Sequence, residues 1–360
     1  MNVFLFYYKA FLEGFDLSQS INSLQLVRAI AALGVVVFHA HVYFITIKLY
    51  PNEPISNFFN MGFAGVELFF VLSGFIMVFI HWKDMGRRDK FLIFFLKRIT
   101  RIIPLYWFFL VFLMAIYFSI PQLSPENLQN IVYVLKSFFL IPSDEGFILE
   151  VAWTLTYEFV FYAFFSFLII HKLWGVAFFL GWQLAVFINI FLGFSELLVF
   201  SAYNLLFFFG GLSALSYRYF SCFVSVVFLL AGGIGFSVVG YLGVEGYWEG
   251  ITDYRTLAYG IFAALLMLGI VRLEDLGKLH IHTIFKVLGD ASFSIYLSHG
   301  LSLSIASFIF SYLGLLAVLP KGVIFLLLVS SGVIGGLFLY YIVERRLMHW
   351  SKHFIASRYP

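Results

Sequence analysis

The chain has 360 residues, of which 62% are hydrophobic, 21% aromatic and only 11% charged, with a formal net charge of +3 and a mean hydropathy of +0.98. A soluble domain carries roughly 25% charged residues, so this composition excludes a water-soluble globular enzyme, and no basic block or motif points to nucleic acid. The single cysteine, Cys222, excludes an intramolecular disulfide and reads as a small, buried apolar residue.

Residues 1–21 are aromatic but hold Glu13 and Asp16 and lack a small-residue cleavage site, which reads as an interfacial segment rather than a removable signal peptide. A membrane span needs about 20 mostly apolar residues. Ten stretches qualify: 22–45, 62–81, 102–120, 151–170, 174–193, 197–216, 222–243, 256–271, 290–313 and 322–343. The breaks carry loop chemistry, among them YPNEPISN, PQLSPEN and RLEDLGKLHIH. The expected architecture is an all-α polytopic membrane protein of about ten transmembrane helices, with a transmembrane domain over 22–343 and a cytoplasmic tail over 344–360. With both termini cytoplasmic, 18 of the 22 basic residues fall on the cytoplasmic side, leaving Lys48, Lys136, Arg255 and Lys321 outside. That asymmetry is what orients membrane proteins.

Ionisable groups inside a bilayer are costly and face a cavity or a partner. In the first span, RAIAALGVVVFH sets Arg28 and His39 eleven residues apart, three helical turns plus about 20°, so they share one face roughly 16 Å apart. Glu67 in the second span and Glu158 in the fourth fall at a depth similar to His39. A carboxylate that orients an imidazole and stabilises its protonated form makes a general base, so His39, Glu67 and Glu158 form the candidate catalytic set. The plain alternatives are a histidine bonded to backbone or hydroxyl, and a glutamate at the interface. His299, near mid-membrane, reads as a structural hydrogen-bonding residue. In FFLKRITRIIPLYW, Arg98 and Arg101 lie three residues apart, on one side of a helical turn, at the same membrane face as Arg28. Guanidinium groups bind phosphate bidentately, so the three suit a phosphorylated ligand, although anchoring to anionic lipid explains Arg98 and Arg101 nearly as well. An extended pantetheine arm spans about the distance from these arginines to His39, so a thioester of coenzyme A threading between them fits the spacing. No metal-ligating cluster appears.

Five blocks, in order, resemble the membrane-bound acyltransferase-3 family. They are SLQLVRAIAALGVVVFHAH with Arg28 and His39; GFAGVELFFVLSGFIM with Glu67, Ser73 and Gly74; FFLKRITRIIPLYW with Arg98 and Arg101; AWTLTYEFVFY with Trp153, Thr154 and Glu158; and LGDASFSIYLSHG with YYIVERR, carrying His299 and Glu344. Departures are small: SLQLVRAIAA stands for the commoner Asp-Gly-Leu-Arg-Gly, and Phe293 for a tyrosine. The format is similar to the stand-alone O-acetyltransferases of lipopolysaccharide O-antigen or exopolysaccharide, without the SGNH-type hydrolase domain that some members add.

The resemblance implies transfer of an acyl group, commonly acetyl, from acyl-coenzyme A to a hydroxyl of a surface polysaccharide or its lipid-linked precursor, in the bacterial inner membrane. It implies His39 as the catalytic residue and Arg28, Arg98 and Arg101 as donor-binding or essential. Ser73 and Tyr157 are candidate oxyanion donors, with Trp153 beside them on the substrate side; His299 and Glu344 are secondary or structural. His39 acts either as a base in direct transfer or as a nucleophile that is itself acylated. Membrane lipid is a partner by composition, and self-association is left open. The competing reading is a transporter or flippase of a lipid-linked glycan or of an acyl donor; such folds show inverted repeats, and the sequence has none.

Overall fold

A chain this apolar must satisfy its backbone hydrogen bonds within each segment, and helices do so. The computed structural model describes residues 21–358, and every regular element among them is helical. The expected interfacial segment, save Ile21, lies outside the described residues. The elements that matter below are α1 (Asn22–His39), which runs on as a π-helical stretch Ala40–Leu49; α2 (Gly65–His81), entered through a 3-10 segment Asn57–Ala64; α3 (Phe91–Ser119); α4 (Ile131–Phe138); α5 (Trp153–Ile170); α6 (Lys172–Leu192); α7 (Tyr203–Ser216); α8 (Cys222–Val244); α9 (Thr252–Asp275); α10 (Thr283–Asp290); α11 (Ser292–Tyr312); α12 (Lys321–Leu339), continued by a π turn Tyr340–Glu344; and α13 (Arg345–Arg358).

Nine helices among the described residues are long and apolar enough to cross a membrane. The tenth expected span, 197–216, differs: its helix α7 is only 14 residues long. It is packed along α2 and α9, so the interior of the bundle, not lipid, accounts for its apolar character. Two further corrections and one addition follow. Helix α3 begins at Phe91 rather than 102, which draws Lys97, Arg98 and Arg101 into the helix. The expected tail is helical, α13 packing back on α3. Cys222 is exposed at the first position of α8, not buried.

Without a hydrophobic drive between helices in lipid, small residues decide which backbones can meet. Helices α2 and α7 meet at Gly74 and Gly210. A Cβ added at Gly210 would lie 1.8 Å from the Val71 carbonyl oxygen, and one at Gly74 would lie 1.9 Å from that of Phe207. Gly232 and Gly269 join α8 to α9 in the same way, and Gly289 of α10 rests on the backbone at Gln25 of α1. Pro104 lies within α3, where it removes one backbone donor just past Arg101.

Gly210→Ala forces α7 off α2, at a cost of about 1–3 kcal/mol, and should lower the Tm of the purified protein by several degrees. Gly233→Ala, where an added Cβ meets nothing within 4 Å, serves as the control. Equal melting of the two variants would show that the α2–α7 contact carries no stability.

Candidate active site

Helices α1 and α11 lie alongside each other, and together they place the groups at both ends of the site. Near the start of the pair, Arg28 Nε donates to Ser292 Oγ at 3.2 Å and Nη1 reaches Gln25 Oε1 at 3.5 Å. Three turns on, the rings of His39 and His299 meet with centroids 4.6 Å apart at 63°. Arg28 and His39 therefore both face α11, as their eleven-residue spacing predicts.

Arg28, Arg98 and Arg101 converge on one cavity walled by α2, α3, α5 and α11. Glu158, Ser73, Tyr162 and Tyr296 line it with them, amid apolar residues such as Phe69, Ile76 and Phe293. Helix geometry explains the polar wall. Tyr162 lies one turn beyond Glu158 on α5, so its hydroxyl donates to Glu158 Oε1, which Ser73 Oγ also approaches at 3.5 Å. A second, open cavity shares Arg28 and Arg101 with the first and adds Lys97, Asp290, Glu344 and Lys352. Glu344 is fixed there by Ser294, whose Oγ donates to Oε2 at 2.6 Å and whose backbone N–H donates at 3.2 Å.

Arg98 is not a free guanidinium at a mouth. It is buried, and its Nη2 lies 2.7 Å from His81 Nε2, while His81 Nδ1 lies 2.9 Å from Asp84 Oδ2. Arginine has only donors, so His81 Nε2 must accept and its proton must sit on Nδ1, bonded to Asp84. The histidine at the end of α2 thereby ties Arg98 in place, and the guanidinium also lies 5.8 Å from the Tyr162 ring centroid. Arg101, one turn along α3, is exposed.

His39 does not line this cavity, and its expected carboxylate partner is replaced. Nδ1 lies 2.9 Å from the Val35 carbonyl, four residues back on its own helix, while Tyr43 stacks on the ring at 5.3 Å. Among the described residues neither glutamate hydrogen-bonds it. Glu158 belongs to the cavity, toward the arginines. Glu67 is buried on another side of α2, both carboxylate oxygens lacking a hydrogen bond, where its electrostatic neighbours are Arg255, Tyr203 and Tyr259. Tyr157 and Trp153 pack against each other and Tyr203 and do not line the cavity. Tyr296 lines the cavity and its ring lies 6.0 Å from that of His299, the ring that meets His39; its hydroxyl is 3.0 Å from Thr154 Oγ1 and donates to the Val151 carbonyl at 3.1 Å. His81, Asp84, Tyr162 and Tyr296 are the residues that sequence reasoning passed over. Two of them had a signal in helical spacing: Tyr162 four after Glu158, and Asp84 three after His81.

The family model described as an acyltransferase domain matches residues 21–345. The chain is 30% identical over 311 residues to the exopolysaccharide production protein ExoZ of Rhizobium meliloti (strain 1021), a match spanning 82% of this chain and 92% of that protein. No solved structure matches. The five sequence blocks, save the last residue Arg346, fall inside the matched region, and the chain is a multi-pass membrane protein belonging to the acyltransferase-3 family.

Proposed function

We propose that this acyltransferase moves an acetyl group from acetyl-coenzyme A to a hydroxyl of an exopolysaccharide or its lipid-linked precursor, across a bacterial cytoplasmic membrane, with the arginine end of the bundle on the cytoplasmic side. The observation that carries the reading is the convergence of Arg28, Arg98 and Arg101 on one cavity that Tyr296 also lines, with Tyr296 beside His299 and His299 in contact with His39. Two cavities that share Arg28 and Arg101, the open one basic and the other mostly apolar, suit a donor with phosphates at one end and a slender thioester arm at the other. The acceptor class follows the similarity to ExoZ.

A sugar hydroxyl is a weak nucleophile near neutral pH and needs a positioned base. The Val35 carbonyl can only accept, so it fixes the His39 proton on Nδ1 and leaves Nε2 as a lone pair. Nε2 takes the hydroxyl proton as the oxygen bonds to the acyl carbon. The carbon–sulfur bond then breaks with its electron pair on sulfur, and His39 returns the proton to the thiolate. Because His39 does not line the cavity, side chains such as Tyr296 must move for the thioester to reach it. Ser73, held against Glu158, belongs to the donor's path.

Labelled acetyl-coenzyme A tests the reading. Wild type should label the host polysaccharide, and His39→Ala should lose at least about 10²-fold of that rate, the usual contribution of a general base; equal labelling would remove His39 from the chemistry.

Arg98→Lys and Arg101→Lys keep the charge but lose the planar fork, so each should raise the KM for acetyl-coenzyme A by about tenfold, the worth of a charge-assisted bond of about 1.5 kcal/mol. An unchanged KM in both would mean that they anchor lipid only.

His81→Ala should raise that KM by a similar factor of about ten through loss of one bond to Arg98, while His81→Gln, which supplies an acceptor oxygen, should stay near wild type. If alanine and glutamine behave alike, His81 does not aim Arg98.

A further inference from the structure

Resting on the acetyl-transfer reading above, the geometry points to His299 as the positioning residue that shares the transferred proton with His39, in the place where a carboxylate would ordinarily stand. His299 is wholly buried on α11. Its Nδ1 lies 2.6 Å from the Tyr296 carbonyl of the preceding turn, and a carbonyl only accepts, so that nitrogen carries the ring proton. Nε2 is thus a bare acceptor, and it is buried without a hydrogen-bond partner. A buried unpaired acceptor is unfavourable and uncommon in folded proteins.

His39 repeats this arrangement on α1, its Nδ1 donating to Val35. The two rings touch edge to face at 4.6 Å, the short end of the range for such pairs. Two imidazoles in edge contact, each with Nδ1 committed to its own helix, hold no hydrogen bond between them while both are neutral. The contact becomes favourable when one proton arrives. As the acceptor O–H bond breaks, its proton binds His39 Nε2 and the positive charge is shared with His299. When the carbon–sulfur bond breaks, the proton leaves to the thiolate and both rings are neutral again.

The surroundings leave this task to His299. Tyr43 stacks on His39, Tyr296 lies 6.0 Å from His299, and α12 backs the pair with Gly332. The charged group whose field reaches His39 is Glu150, in the turn just before α5, and it makes no hydrogen bond to the ring.

Substitutions can separate the two nitrogens of His299. Asparagine offers an N–H where Nδ1 stands, keeping the bond to Tyr296, but nothing at Nε2; glutamine offers an acceptor at the Nε2 position. In full-length protein in membranes, with labelled acetyl-coenzyme A and the host polysaccharide, His299→Asn should lower kcat about 10²-fold with the KM for acetyl-coenzyme A unchanged. His299→Gln should recover part of the loss. Full activity in His299→Asn overturns the proposal and leaves the acetyl-transfer reading intact, whereas equal labelling by wild type and His39→Ala overturns that reading instead. Should both variants fail to fold, nitrogen-15 NMR of histidine-labelled protein decides without turnover. The His299 Nε2 resonance should move with pH in wild type and stop moving in His39→Gln; a resonance indifferent to His39 overturns the sharing.

Discussion

Three guanidinium groups brought to one cavity in an apolar bundle is the constraint on which the rest of the site depends. A buried charge is tolerated only when paired and hydrogen-bonded, and each arginine here has its own solution. Arg28 is bonded to Ser292 and Gln25 and feels the charges of Glu344, Asp290 and Glu158. Arg98 donates to a histidine that Asp84 orients, and lies beside the Tyr162–Glu158 pair. Arg101 stays exposed. The acidic groups that sequence spacing offered as partners of the histidine are instead committed to the arginines, or, in the case of Glu67, to a different wall of α2. Electrostatic cost decides their placement: a permanent cation needs a counter-charge in low dielectric, and a neutral imidazole does not.

The regular bundle is broken where these groups sit. Helix α1 passes into a π-helical stretch immediately after His39, and α12 passes into a π turn that ends on Glu344. Such segments are rare and concentrate at functional sites, since the extra residue per turn redirects side chains without ending the helix. Pro104 follows Arg101 on α3 by three residues. Elsewhere the packing is close and unremarkable, with glycine backbones in contact between α2 and α7 and between α8 and α9. Rigid contacts of this kind hold the cavity walls while the local irregularities aim the groups that line it.

Much of this was legible in the chain. Long apolar runs gave the helices because a lipid-exposed backbone has no other option, and the eleven-residue spacing gave the common face of Arg28 and His39. The five family blocks named the arginines that meet at the cavity. Three matters were hidden, each for a physical reason. Helix α7 is apolar because it is buried in protein, which composition cannot separate from burial in lipid. The start of α3 was placed too late because a span was counted only over its apolar residues, whereas the helix runs on through Lys97, Arg98 and Arg101, with Arg98 partnered by His81 and Tyr162. The His39 partner was misassigned because a carboxylate elsewhere in the sequence is visible as a residue, while the carbonyl of Val35 is present at every position and marks nothing.

That carbonyl is what suits His39 to act as a base. A carboxylate on Nδ1 would fix the tautomer and also favour the imidazolium strongly in low dielectric, at the risk of leaving Nε2 already protonated. A carbonyl fixes the tautomer with a much weaker field, so Nε2 keeps its lone pair. The arginines leave it undisturbed, because eleven residues of helix set Arg28 about 16 Å away and the charged group that acts on His39 is Glu150. The result is a neutral histidine that can accept a proton and release it again. Its orientation comes from its own helix and its charge partner from α11, so the α1–α11 contact serves both donor end and base.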